Sequence, residues 1–207
     1  MKDIVIVGAG GAGRDALGLI ERVNSQTNEW NLLGFVDEIG TNENIWGTDE
    51  DVLHTEKELH VVLAIANPAI RKRLYEKFKV NPLVKFPNLI DPSSISLNKV
   101  TMGQGNQIYP GTVFAVFVEI GDFNIIQLSS TIGHDSKIGN FNQINPGCNI
   151  SGNVVTADGV QIGTGSQVLQ ERKIGENAII GAGSVIIKDV PGNCTVVGVP
   201  GKVIKQS

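Results

Sequence analysis

From Met102 to Ile186 the chain sets an apolar residue at every sixth position. Met102, Ile108, Phe114, Ile120, Ile126, Ile132, Ile138, Ile144, Ile150, Thr156, Ile162, Val168, Ile174, Ile180 and Ile186 form a series of fifteen without an insertion, and only Thr156 is polar. Glycine follows at Gly103, Gly121, Gly133, Gly139, Gly163, Gly175 and Gly181, and four places after the apolar residue the side chain is usually small or β-branched, as at Thr112, Ser130, Cys148, Ser166 and Ser184. Neither the 3.6-residue helical period nor the two-residue strand period sustains such a register. A parallel β-helix does. Each hexapeptide supplies one flat wall and one corner: the large aliphatic points inward, the small residue fills the tight interior, and glycine relieves the backbone. Three walls close a coil, so equivalent positions recur after eighteen residues. At about 4.8 Å per coil, roughly five coils make a prism on the order of 24 Å long.

The first ninety residues follow a different pattern. "DIVIVGAGGAGRDALGLIERV" reads as strand, glycine loop and helix, "NLLGFVDE" as a second strand ending at Asp37, and "HVVLAIANPAIRKRLYEKF" as strand and helix again. Such alternation implies a small parallel sheet with helices on its faces. The proline-bearing "FPNLIDPSS" marks the boundary. The expected fold class is thus an α/β Rossmann-like domain over residues 1–93, followed by a hexapeptide-repeat parallel β-helix over 94–207.

Composition narrows the function. The net charge of −4, with no basic stripe, argues against nucleic acid as a partner. No apolar run is long enough to span a bilayer. The opening "MKDIVIVGAG" lacks a signal-peptide cleavage site and runs into a glycine loop, so it reads as a buried strand, and the expected compartment is the cytoplasm. Cys148 and Cys194 make neither a disulfide framework nor a zinc pattern, and Cys148 falls on a small inward position where packing explains it. His54 and His60 border a charged segment and read as surface residues.

Gly8-Ala9-Gly10-Gly11-Ala12-Gly13 stands where glycines let backbone amides approach a phosphate at a helix N-terminus, with Asp37 placed to bond a ribose or base. An NAD site, hence an oxidoreductase or an NAD-sensing regulator, is one reading. Against it, Asp37 is 24 residues beyond Gly13, whereas the NAD fingerprint expects about 20. A glycine turn that binds nothing is a third possibility. In the prism, "TIGHDSKIGNFNQINPG" carries His134 beside Asp135, either as a working pair or as a solvated corner.

Taken together, "IVGAGGAGRDAL", "GFVDE", "AIANPAIRKRL", a hexapeptide prism with "IGHD" and a closing "GVPGK" resemble the bacterial sugar O- and N-acetyltransferases typified by PglD and NeuD. The resemblance covers nearly the whole chain. It implies a left-handed β-helix, a homotrimer, acetyl-CoA as co-substrate in the groove between neighbouring prisms, no required metal, and a nucleotide-linked amino sugar held by the N-terminal domain. On the matching positions, His134 is the catalytic base and Asp135 its carboxylate partner. Gln143, Gly152, Thr164 and Ala182 are acetyl-CoA contacts, and Gly10, Gly11, Ala12, Asp37, Glu38 and Ala66 are substrate contacts. Two positions depart: family members commonly carry histidine where this chain has Ala12, and some carry it where this chain has Gln143. The implied activity is N-acetylation of a nucleotide-linked 4-amino-4,6-dideoxy sugar for surface glycan synthesis, with O-acetylation of a sialic acid or another sugar as the alternative.

The chemistry fits these residue types. Transfer from a thioester to an amine requires an acceptor for the amine's proton, and an imidazole, with a reference pKa of about 6.5, serves near neutral pH. A carboxylate selects its tautomer. The tetrahedral oxyanion requires a donor, for which the Gly152 N–H and the Gln143 amide are the candidates. Lys188 and Lys202 are weaker candidates for the coenzyme's phosphates. A β-helix carbonic anhydrase would need three histidines around zinc, and the prism sequence has one. A non-catalytic trimeric scaffold is the remaining rival.

Overall fold

The computed structural model describes residues 1–38 and 44–206. The chain divides into two compact units, Met1–Pro92 and Ser93–Ser207.

The first unit is built on β1 (Lys2–Val7), α1 (Gly11–Thr27), β2 (Trp30–Val36), β3 (Ile45–Gly47), α2 (Asp49–Leu53), β4 (Leu59–Leu63), α3 (Pro68–Phe78) and β5 (Val84–Lys85). The strands form one parallel sheet in the order β3-β2-β1-β4-β5. Ile4 to Val7 and Leu59 to Leu63 are buried without alternation, because a parallel sheet is covered on both faces. Helix α1 turns Gly13, Ala16, Leu19, Ile20 and Val23 inward and stops at Asn28 in the left-handed region. Helix α3 opens with Pro68 and is capped by Asn67, whose side chain accepts the Ile70 N–H at 3.1 Å. His60 departs from expectation: it is buried, edge-on to Trp30 at 5.1 Å, with Nδ1 3.2 Å from the Asp3 carbonyl oxygen. Its place on β4, the strand next to β1, decides this rather than the charged residues before it.

The second unit is a left-handed parallel β-helix. Its first wall stacks Ile95, Val113, Thr131, Asn149, Gln167 and Val185. The second stacks Thr101, Glu119, Lys137, Val155 and Lys173, and the third Gln107, Ile125, Gln143, Gln161 and Ile179. Each step is eighteen residues. After Ile179 the third wall pairs with Thr195, and a strand at Lys202–Gln206 folds back antiparallel to finish the stack.

The inward aliphatics form one continuous core from Ile108 to Val196. Fully burying each isoleucine or valine stabilises the fold by about 1.5–3 kcal/mol before chain entropy is counted. Two features of the interior are not aliphatic. Asn106, Asn124 and Asn142 are fully buried and form a ladder: Asn106 accepts the Asn124 N–H and Asn124 the Asn142 N–H, both at 2.8 Å. Thr156, the one polar residue of the six-step series, is buried and accepts from the Asn142 side chain at 3.0 Å and from the Gly139 N–H at 3.3 Å. Its hydroxyl is thereby paired, as a buried polar group must be.

Candidate functional site

The corner between the first and second walls carries His134. The backbone holds it on both sides: the Asn153 N–H of the next coil donates to the His134 carbonyl at 2.7 Å, and the Asp135 N–H donates to the Val116 carbonyl of the previous coil at 3.1 Å. Asp135 takes the left-handed conformation that the corner demands, with φ of 59°. Its carboxylate Oδ2 lies 2.8 Å from His134 Nδ1, and both side chains are half exposed. With Nδ1–H donating to the carboxylate, the lone pair sits on Nε2.

Nε2 faces the next coil at Gly152. A Cβ on Gly152 would stand 2.5 Å from Nε2 and 2.6 Å from Cε1 of His134, so only glycine leaves the ring where it is. A Cβ on Gly133 would collide with the Gly152 nitrogen. The Gly152 N–H donates no backbone hydrogen bond among the described residues. One corner thus holds a proton acceptor, its carboxylate partner and an N–H donor.

Gln143 is on the third wall, buried, and not at this corner. Its amide orientation follows from its neighbours: Asn145 Nδ2 donates to the Ile162 carbonyl at 3.0 Å, which turns Asn145 Oδ1 toward Gln143 Nε2 at 3.2 Å. Within one chain Gln143 therefore does not share the oxyanion position with Gly152. Thr164 and Ala182 stack on the corner after the third wall, where the Gly183 N–H donates to the Thr164 carbonyl at 2.8 Å. A Cβ on Gly163 would come within 2.5 Å of the Ala182 nitrogen. The predicted coenzyme contacts fall into two groups, Gly152 with His134 and Gln143 with Thr164 and Ala182, separated around the prism. Lys188 and Lys202 line one cavity of about 280 Å³ with Asp189 and Val203. Lys188 belongs to the His134 column, three eighteen-residue steps on. Cys148 packs inward with Sγ 3.2 Å from the Gly163 carbonyl, and burial pushes its thiol pKa up.

In the first unit the predicted substrate residues gather at the carboxyl ends of three adjacent strands. The glycine loop follows β1, Asp37 and Glu38 follow β2, and Ala66 follows β4. Gly8 needs its φ of 99°, and a Cβ there would meet Ile65 Cδ1 at 2.7 Å. A Cβ on Gly13 would collide with the Gly8 carbonyl, so the loop can close on the helix only with glycine at both places. The Ala9 N–H donates to Asp37 Oδ2 at 3.0 Å, which ties the loop to the end of β2. Arg71, fully buried, donates through Nη1 to the carbonyls of Ile65 at 2.5 Å and Ala66 at 3.2 Å and fixes the third loop. Asn67 caps α3 and Thr48 with Asp51 closes a capping box on α2, whereas α1, with Gly10 at its N-cap, has no side-chain cap and no acidic residue in its first turn. Arg14 is exposed in that first turn, three residues after Gly11.

Residues 3–78 match the model of the PglD N-terminal domain, and residues 153–188 match the bacterial transferase hexapeptide model of six repeats. No curated protein matches the chain. Among solved structures, the chain is similar to the acetyltransferase domain of PglB from Neisseria gonorrhoeae in complex with acetyl coenzyme A, at 27% identity and a TM-score of 0.89, over 98% of this chain and 99% of that one. WeeI from Acinetobacter baumannii aligns at 26% identity and a TM-score of 0.87, over 99% and 100%. PerB from Caulobacter crescentus, in complex with CoA and GDP-perosamine, shares the fold at 24% identity with a TM-score of 0.91, over 99% and 98%.

Proposed function

For this acyltransferase, a PglD-type N-terminal domain joined to a hexapeptide-repeat prism, we propose acetyl-CoA-dependent N-acetylation of a nucleotide-linked 4-amino-4,6-dideoxy sugar. The observation that carries the reading is the single corner where His134 Nε2 faces Gly152 while Nδ1 is held by Asp135. In the reaction the acceptor's amine attacks the thioester carbonyl and a C–N bond forms. The Gly152 N–H stabilises the oxyanion. His134 Nε2 takes the amine's proton, and Asp135 steadies the resulting imidazolium. Collapse of the intermediate breaks the C–S bond, and the proton passes from His134 to the leaving thiolate. Much of the remaining acceleration comes from holding both substrates in one place.

Three further features belong to this reading. The loops at the carboxyl ends of β1, β2 and β4 form the crevice where open α/β sheets bind ligands. Gly10, Gly11 and Ala12, at the uncapped N-terminus of α1, face the diphosphate, with Asp37, Glu38 and Ala66 around the nucleoside. The division of coenzyme residues between two regions of the prism supports a homotrimer, in which His134, Asp135 and Gly152 of one chain meet Gln143, Thr164 and Ala182 of the next. The half-exposed apolar residues Leu169 and Ile187, stacked beside the His134 corner, are suited to cover by such a neighbour. GDP-perosamine bound to PerB supports a nucleotide amino sugar as the acceptor class. Among the described residues no helix is long and apolar enough to cross a membrane.

The test is release of CoA thiol from acetyl-CoA against UDP-, dTDP- and GDP-linked 4-amino sugars and sialic acid. One nucleotide-linked amino sugar should support turnover, and His134→Ala should lower it by about two or more orders of magnitude. Turnover on sialic acid alone would replace N-acetylation by O-acetylation. No thiol release with any sugar would overturn the reading.

A further inference from the structure

The corner that carries Asp135 takes the left-handed conformation in five successive coils, at Lys99 (φ 53°), Phe117 (59°), Asp135 (59°), Asn153 (57°) and Glu171 (66°). Glycine, asparagine and aspartate take that conformation at least cost, and a bulky residue there is disfavoured by about 1–2 kcal/mol. Two other phenylalanines accept the penalty at a different corner: Phe123 and Phe141 stack face to face at 5.2 Å, and both are buried. Their burial offsets the strain. Phe117 has no such compensation. It is 49% exposed, and among the described residues its ring partner is Lys99, whose ammonium sits 4.9 Å from the ring centroid. Lys99 in turn makes no ion pair among the described residues and is exposed.

Position gives these two residues meaning. Phe117 is one coil before Asp135 and Lys99 one coil before Phe117, joined through the Asp135 N–H to Val116 and the Phe117 N–H to Asn98 backbone bonds of 3.1 and 3.0 Å. At about 4.8 Å per coil, an apolar ring face and then a cation with no ion pair among the described residues lie roughly 5 and 10 Å from the base along one edge. On the opposite side of the base the same edge runs through Gly152 toward Lys188. The acceptor requires this order: an amine at the base, an apolar face of a deoxy sugar ring, then a phosphate at the anomeric end.

We propose that Phe117 and Lys99 form the acceptor subsite, Phe117 carrying the apolar face of the sugar ring and Lys99 pairing with the phosphate that joins it to the nucleotide. This rests on the acetyl-transfer reading for the orientation of the amine. The strained, exposed aromatic is a position held for a ligand rather than for the fold. Phe117 also holds the lysine by a cation–π contact.

Two variants test it on the intact chain. Lys99→Met removes the charge, and Phe117→Asn supplies a side chain that tolerates the left-handed corner. Each should raise the acceptor KM about tenfold or more, Phe117→Asn by the loss of an apolar contact and Lys99→Met by the loss of a charged hydrogen bond. Both should leave kcat and the acetyl-CoA KM within about twofold, and Lys99→Met should also flatten the salt dependence of the acceptor KM. Calorimetric binding of UDP-, dTDP- and GDP-linked 6-deoxyhexoses, which lack the amine, reads the subsite without turnover. Binding weakened by Lys99→Met and preserved in His134→Ala upholds the subsite even if acetyl transfer proves to be the wrong reaction. Unchanged acceptor binding in both variants, a rise in the acetyl-CoA KM instead, or lowered thermal stability with unaltered kinetics would overturn it.

Discussion

Replacing Gly152 by alanine should silence the site while leaving the fold standing. The added Cβ would stand 2.5, 2.6 and 2.9 Å from Nε2, Cε1 and Cδ2 of His134. Ordinary contact begins near 3.5 Å, so the ring must retreat by about 1 Å. The main chain at His134 cannot retreat with it, because the Asn153 and Asp135 N–H bonds clamp the residue on both sides. The imidazole must instead rotate about its side-chain torsions, which draws Nδ1 off the carboxylate it meets at 2.8 Å. A misplacement of about 1 Å is worth roughly 100-fold in rate. Gly152 is not among the glycines with positive φ, so alanine adds no backbone strain. The displaced ring is half exposed and moves into solvent. The expected result is kcat for CoA thiol release lowered about 100-fold, with the melting temperature within a few degrees of wild type. Gly133→Ala is the contrast: its Cβ meets the Gly152 backbone, which cannot swing aside, so activity and stability should fall together. A Gly152→Ala enzyme with near-wild-type kcat, or one that loses activity only by unfolding, would refute the reasoning.

Other consequences are simpler. Asp135→Asn should lower kcat by at least tenfold with little change in acetyl-CoA KM, since it removes the partner that fixes the His134 tautomer; steady-state kinetics with each substrate varied will show it. Cys148 and Cys194 are buried with thiol pKa values pushed up by burial, so neither should react with iodoacetamide at pH 8 until the chain is unfolded, as mass spectrometry would report. Asn67→Ala removes the acceptor for the Ile70 N–H and should destabilise the first unit by about 1 kcal/mol in a denaturant titration.

The prism was legible because its period is a geometric necessity. A side chain at every sixth residue meets the same interior, and the series from Met102 to Ile186 keeps that step without an insertion. The Asn106–Asn124–Asn142 ladder was not legible in the same way. An asparagine at the small inward position reads as an irregularity until the coil above supplies the N–H that its Oδ1 accepts. His60 is buried against the expectation because the charged residues before it describe the loop, while its strand lies beside β1. The pairing of His134 with Asp135 was visible as adjacency, but the constraint from Gly152 is visible only as an eighteen-residue step. Gln143 shows the limit of that logic. It is nine residues from His134, half a coil, and half a coil leads to another wall. Phe117 and Lys99 stand out in the sequence only by occupying the step that asparagine or aspartate fills at Asp135 and Asn153.

The most direct trial is a crystal structure with CoA and the acceptor nucleotide sugar bound together. An amino nitrogen within about 2.6–3.2 Å of His134 Nε2 is the predicted result. An amine held elsewhere, with the imidazole facing neither substrate, would contradict the assignment of this corner as the place of acetyl transfer.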